Sequence, residues 1–261
     1  MKRGAAAAWV GVAAVWVSGA ACGGPYTIDI SGTVFDFEAY MTAVALHTDV
    51  RAAYAAAALP GVVVFLAEDS QRRSLTTGAD GRYLVPDAPA RIELHPVATR
   101  TSGYLRTEDG IGVQFAESDV TGYPIGILPR GPLVHAIANG LSMTVDALQE
   151  QGFQLFAIFD DAFPSGAPLV ADVAVSINLG AITFVGWNAT SRTFATAGVP
   201  SAFGAETRWL GLLAITAADG VEVRAVVQDQ GRGPGRPKIF VQHPMPVEPG
   251  RATLFLLAPV N

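Results

Sequence analysis

The sequence predicts a mainly β protein built as two tandem antiparallel β-sandwiches, with a short helical insertion in the first and a short helical linker between them. Three observations carry that expectation. Short apolar runs, alternating or β-branched, recur along the chain and are separated by Gly, Pro and Asp-Gly turns. Several of these runs recur in the same order in the two halves. Inside the first half lies one long alanine-rich stretch without Gly or Pro.

Each element follows in order. Residues 26–36, YTIDISGTVFD, alternate apolar and polar, the period of a half-buried strand. Residues 38–58 carry the alanine-rich stretch, helical by propensity, which the dipeptide Pro60-Gly61 ends. Residues 61–66, GVVVFL, form a β-branched run. Residues 74–77, SLTT, and 82–86, RYLVP, flank the turn GADG at 78–81, and Asp-Gly between two such runs is a strong hairpin signal. Residues 90–97, ARIELHPV, read as a further strand. Then 132–140, PLVHAIANG, and 143–152, MTVDALQEQG, read as short helices stopped at Gly152. Val134, Ile137, Val145 and Leu148 make this linker too apolar to hang free.

The repeat aligns 34–36 (VFD) with 158–160 (IFD), 62–66 (VVVFL) with 173–177 (VAVSI), and 92–94 (IEL) with 221–223 (VEV). Val113-Gln114, followed by Gly122 and YPIGILP, aligns with Val241-Gln242, followed by Gly250 and RATLFLLAP. The order of the matches indicates a diverged duplication. The expected organisation is therefore residues 26–130 as one sandwich, 131–150 as a partly helical linker and 151–261 as a second, diverged sandwich.

The N-terminus gives an address. Lys2 and Arg3 precede an apolar run over 5–17 and the small residues 18–21, SGAA, which is the layout of a secretory signal peptide over 1–21. The run is shorter than the roughly 20 apolar residues that a spanning helix needs. Small residues directly before Cys22 resemble the bacterial lipoprotein cleavage motif, although Gly19 stands where that motif usually has an aliphatic residue. The resemblance implies that Cys22 becomes the lipidated first residue, with 22–25 as a tether, and it places the chain in the bacterial cell envelope, on the periplasmic or surface face of the outer membrane. The other reading is a secreted chain cut near Ala21, with Cys22, the one cysteine of the sequence, left as a thiol.

Removal of 1–21 takes Lys2 and Arg3 and no acid, leaving 15 basic against 23 acidic residues, a charge of −8. Such a balance repels polyanions, so nucleic acid is excluded as an expected partner.

Residues 30–36 (ISGTVFD), 59–64 (LPGVVV) and 76–83 (TTGADGRY) resemble the carboxypeptidase regulatory-like domain, a transthyretin-like β-sandwich. The resemblance covers residues 28–129, while the second copy lacks the Asp-Gly-x-Tyr turn. It implies a non-catalytic domain that spaces, supports or binds neighbours in the envelope. In it Gly81 makes the turn and Tyr83 packs at the start of the next strand.

Candidate chemistry is sparse. His47, His95, His135 and His243 are scattered, without metal-ligand spacing. Glu68-Asp69 and Asp160-Asp161 lie in no Asp-x-Asp-x-Asp loop and read as solvated acids. The glycine-rich 231–236 lacks the Gly-Lys-Ser/Thr of a phosphate loop. Ser142 has no nucleophile elbow and reads as a solvated or capping hydroxyl. An isopeptide bond is excluded from the first half, which has no lysine, and would need Lys238 with Asn178 or Asn188 in the second.

The expectation is a non-enzymatic lipoprotein that binds, spaces or supports. Cys22 is its only named site, and no catalytic residue, metal or cofactor is expected. Its partners are the membrane, through the lipid, and a protein or glycan of the envelope. The alternative is a periplasmic hydrolase or ligand-binding enzyme with a site between the domains, drawing on His135, Asp160 and Trp187. A third reading is a subunit whose exposed sheet edge accepts a strand from a partner.

Overall fold

A computed structural model of the chain describes residues 26–46, 48–159, 163–164, 173–174, 181–199, 202–216, 228–229 and 247–257. Mainly β, it contains four short helices. The first half has β1 (Thr27–Asp36), α1 (Phe37–Ala45), α2 (Val50–Ala56), β2 (Val63–Leu66), β3 (Arg82–Pro89), β4 (Pro96–Thr99), β5 (Thr107–Asp109) and β6 (Val120–Ile127). After it come α3 (Pro132–Gly140) and α4 (Val145–Gln151). The second half has β7 (Phe153–Ile158), β8 (Val173–Ala174), β9 (Ala181–Asn188), β10 (Thr193–Ala197), β11 (Thr207–Thr216), β12 (Gln228–Asp229) and β13 (Ala252–Leu257).

Local chemistry sets the helices. The Asp36 carboxylate caps α1 by accepting the Ala39 amide at 2.8 Å. The alanine-rich stretch is two helices and not one, because Asp49 accepts the amides of Arg51 and Ala52 and starts α2 afresh. Thr144 caps α4, and Gly152, at φ +79°, ends it as expected.

The small sheet has the order β3-β1-β6, with β1 antiparallel to β3 and parallel to β6. It packs on β2, β4 and β5 over a core that includes Ile30, Val34, Val64, Leu66, Val85, Leu94 and Ile125. This much is a sandwich. The second layer, however, continues: one sheet of eight strands runs β10-β9-β11-β7-β13-β5-β4-β2, and β13 is parallel to both β7 and β5. The halves thus share a sheet where two self-contained sandwiches were expected. A short β8-β12 pair completes the described strands.

Both faces of β7 are buried, with all six of its residues covered, and β11 and β13 are buried nearly as fully. On one face, Phe153, Leu155, Ala157, Val185, Trp187 and Leu212 pack with residues of all four helices, Val134, Ile137 and Leu148 among them. On the other, Phe156, Phe184, Trp209, Leu213 and Phe255 form a separate cluster. The stretch expected as a linker is therefore part of the core. Among the described residues, no helix is long and apolar enough to cross a membrane.

One arrangement recurs. In β3-β1-β6 and in β11-β7-β13, a central strand has an antiparallel neighbour on one side and a parallel neighbour on the other.

Candidate functional site

The site is a consequence of the turn at 78–81. Gly81 has φ +68° and its amide bonds the Gly78 carbonyl at 3.0 Å, as a tight turn requires. Yet the strands on either side of it do not pair. Residues 72–77 run along β2: Leu66 donates to the Arg72 carbonyl at 3.2 Å, Ser74 to Val64 at 2.8 Å and Thr77 to Val62 at 2.8 Å. Beyond the turn, β3 pairs with β1 in the other sheet. The expected hairpin is thus a corner between layers. Val34 explains it, because its amide takes the Gly81 carbonyl at 2.9 Å and draws the chain toward β1. A Cβ on Gly81 would stand 2.5 Å from the Val34 carbonyl oxygen, so only glycine fits.

Between the two diverging segments lies a cleft of about 510 Å3, lined by Arg73, Leu75, Thr76, Leu84 and Pro86 with Tyr83 beside them. Its outer lip is the 72–77 edge. Ser74 and Thr77 bond the carbonyls of Val64 and Val62, two residues apart, while standing three apart themselves, so one extra residue bulges out. Their side chains lock the bulge: Ser74 Oγ accepts the Val64 amide at 3.0 Å, and Thr77 Oγ1 accepts Val62 at 3.0 Å and donates to the Leu59 carbonyl at 2.8 Å. Leu75 is left 90% exposed. The amides of Arg73 and Leu75 have no backbone partner among the described residues.

The inner lip is β3, where Arg82, Leu84 and Pro86 face out and Leu84 is 49% exposed. Pro86 and Pro89 lack amides and blunt this strand against pairing. Segment 72–77 contains no proline. Arg82 lies 3.4 Å from Asp80 and Arg72 lies 3.5 Å from Asp69, whereas Arg73 has no ion pair among the described residues. The cleft therefore offers apolar contacts, open amides and positive charge.

A polar cluster lies elsewhere in the same sandwich. Asp109 is buried and accepts from the Tyr123 hydroxyl and from the Ile111 amide at 3.2 Å. Desolvation pushes its pKa up to about 6, against the pull of those hydrogen bonds. Tyr83 donates to the Tyr123 carbonyl at 3.1 Å, and burial raises the pKa of both phenols. His95 Nδ1 is 2.7 Å from Glu68, which raises the imidazole pKa. Burial alone would raise Glu68, but the side-chain and backbone bonds from His95 outweigh it and hold the carboxyl low. Glu108 is raised by burial and pairs with Arg251 at 2.7 Å. These groups saturate one another and form a structural network. Among the described residues, no three His, Cys, Asp or Glu side chains are grouped to hold a metal ion.

A second cleft, of about 490 Å3, holds Asp36 and Glu38. Asp36 accepts the Tyr104 hydroxyl at 2.8 Å besides capping α1. Glu38, raised by burial, accepts the Leu133 amide at 2.7 Å and ties α1 to α3. Both act as clamps.

Of the residues named for an enzyme site, His135 and Trp187 are among those described. His135 is exposed on α3, while Trp187 is buried and meets Phe194 edge-on at 5.2 Å. Ser142 is exposed in the turn after α3, and Thr144 is the cap. Asp69 accepts the Gln71 amide at 3.1 Å, and Asn188 accepts those of Thr190 and Ser191. Cys22, His47, Asp160, Asp161, Asn178, 231–236, Lys238 and His243 lie outside the described residues.

No protein-family model matches the chain, and no curated protein matches it. Among solved structures it is similar to the Bacillus anthracis TIE protein, at 10% identity over 90% of this chain and 34% of that one, with a TM-score of 0.24. It is likewise similar to a Streptococcal ancillary pilin, at 13% identity over 90% of this chain and 63% of that one, TM-score 0.22. GBS52, the minor pilin of Streptococcus agalactiae, is 9% identical over 90% of this chain and 97% of its own, TM-score 0.21. The chain spans about a third of the first of these and under two thirds of the second. TM-scores this low do not place it in the fold of any of the three.

Proposed function

We propose that the chain is a non-enzymatic module of the bacterial cell envelope, anchored by lipid on Cys22, that binds an extended segment of a partner protein along residues 72–77. The observation that carries this reading is Leu75, 90% exposed on an unpaired strand edge beside Leu84. An added strand would take up the open amides of Arg73 and Leu75 and cover both leucines, so backbone bonds supply affinity and alternate side chains supply selectivity. Arg73 and Arg82 favour acids at the intervening positions. A glycan supplies no regular run of amides and carbonyls to match the edge.

The motif glycines support the likeness to carboxypeptidase regulatory-like domains. A Cβ on Gly32 would stand 1.9 Å from the Tyr123 carbonyl oxygen, so β1 fits between its neighbours only without a side chain there. The recurring order of β3-β1-β6 and β11-β7-β13 supports the duplication. No observation favours a hydrolase at the junction of the halves, where Trp187, Phe159 and Leu133 form an apolar core.

The test uses residues 22–261 with Cys22→Ser and an array of eight-residue peptides alternating Val or Ile with Asp or Glu. Binding that falls at least tenfold in Leu75→Lys is expected. Absence of binders, or binders indifferent to Leu75→Lys, overturns the reading. The anchor is tested separately by intact mass: a diacylglyceryl group on Cys22 is expected, absent from Cys22→Ser, and a wild-type chain cut elsewhere contradicts it.

A further inference from the structure

A second exposed apolar surface lies at the end of the first sandwich where the N-terminus enters. Residues 91–94 and 113–116 form a short antiparallel ladder, with Arg91 donating to Ala116 at 2.9 Å, Leu94 to Val113 at 3.0 Å and Phe115 to Ile92 at 3.2 Å. Leu94 and Val113 are buried, but Ile92 and Phe115, opposite one another, are 43% and 64% exposed. Tyr26 adds a third exposed side chain at 58%, with its hydroxyl on the Glu117 carbonyl at 2.6 Å and the Arg91 guanidinium 5.4 Å from its ring centre.

The backbone holds these groups outward at a cost. Arg91 has φ +64° and Phe115 φ +44°, left-handed conformations that are uncommon and strained outside glycine. Two strained residues, one aromatic and one cationic, stand beside an exposed tyrosine. Charge at this end is predominantly acidic: Arg91 lies 3.4 Å from Glu117 and His95 Nε2 3.5 Å from Glu93, while the Asp119 and Asp29 carboxylates accept, among the described residues, only backbone amides, those of Asp29 and Asp87.

We infer that Tyr26, Ile92 and Phe115 seat this end of the sandwich in the headgroup region of a phospholipid bilayer. The inference rests on the lipidation of Cys22. Only three residues separate that cysteine from Tyr26, four steps along the chain and a reach of at most about 14 Å, so the anchor holds this face and no distant one against the membrane. Tyrosine suits the interface, where its ring meets lipid and its hydroxyl the polar layer, and phenylalanine and isoleucine supply apolar area to bury. The two acyl chains of a diacylglyceryl group hold the protein at the membrane by themselves, and the apolar patch then decides which face meets the lipid. Because the charge left at this end is acidic and gives no attraction to lipid headgroups, contact depends on apolar burial and persists at high salt.

The experiment places a nitroxide at Phe115→Cys, or at Glu150→Cys on the exposed side of α4 as control, in the mature lipidated protein reconstituted in phosphatidylcholine vesicles. Lipid-soluble oxygen is expected to collide with the label at 115 several-fold more than with that at 150, with water-soluble nickel showing the reverse. A lipidated sample in which 115 is as aqueous as 150 overturns the inference alone. A sample whose mass shows no lipid on Cys22 overturns the anchor and the inference together. Shielding of 115 that requires other envelope proteins overturns it in favour of a protein partner.

Discussion

The Tyr40 hydroxyl is buried without a hydrogen-bond partner among the described residues, and burial raises its pKa. A lost water bond with nothing in return is unfavourable, so Tyr40→Phe should raise stability to urea by about 1 kcal/mol, and a loss would mean that the hydroxyl has a partner. Asp109 has the opposite relation to water: it has partners but little solvent. With its folded pKa near 6 against 3.8 for the free side chain, its unfavourable contribution is full above pH 6 and gone below about 4. The sign for His95 runs the same way, since its raised pKa gives stability that is full below 6.5 and fades as pH rises through the folded value. The protein should therefore be more stable at pH 5 than at pH 8. Asp109→Asn should gain up to about 3 kcal/mol at pH 8 and almost nothing near pH 4, measured by urea unfolding. An unchanged pH dependence would contradict this assignment. Asp109 was not legible in the sequence, because its burial and its bond from Tyr123 are set by residues outside its own segment; the place of Tyr83 at the start of its strand was, because the turn before it is local.

At the level of elements, what depends on neighbours along the chain was readable and what depends on neighbours across space was not. The turn at 78–81 follows from Asp80-Gly81, but whether its arms pair is decided by β1 and β2, which lie far off in sequence. The alanine-rich stretch reads as helix, and its division at Asp49 is the signal passed over, an acid placed to cap. Asp49→Ala should cost about 1 kcal/mol in urea unfolding, with helicity lost from α2. Gly32 is constrained more severely. Gly32→Ala drives a methyl into the Tyr123 carbonyl and should cost about 3 kcal/mol or more, and a loss under about 1 kcal/mol would show that β6 can move aside.

Across the whole molecule, the parallel seam of β5 and β13 joins the halves, with Ala252 opposite Thr107 and the Arg251–Glu108 pair at 2.7 Å beside it. The repeated order of segments was legible, because the two halves share a strand vocabulary. The shared sheet was not, since pairing between the halves leaves no period in either. Unfolding in urea should accordingly be one transition, coincident by near- and far-ultraviolet circular dichroism, and two separated transitions would contradict the seam. The same continuous sheet leaves its 72–77 edge open, and on that edge the proposed function depends. Amide hydrogen exchange there is the most direct test. In the protein alone, Arg73 and Leu75 should exchange almost as fast as an unfolded chain while Ser74 and Thr77 are protected; saturation with the tightest peptide of the array should protect Arg73 and Leu75 as well. Arg73 and Leu75 protected from the outset, or unprotected when the peptide is bound, would contradict it.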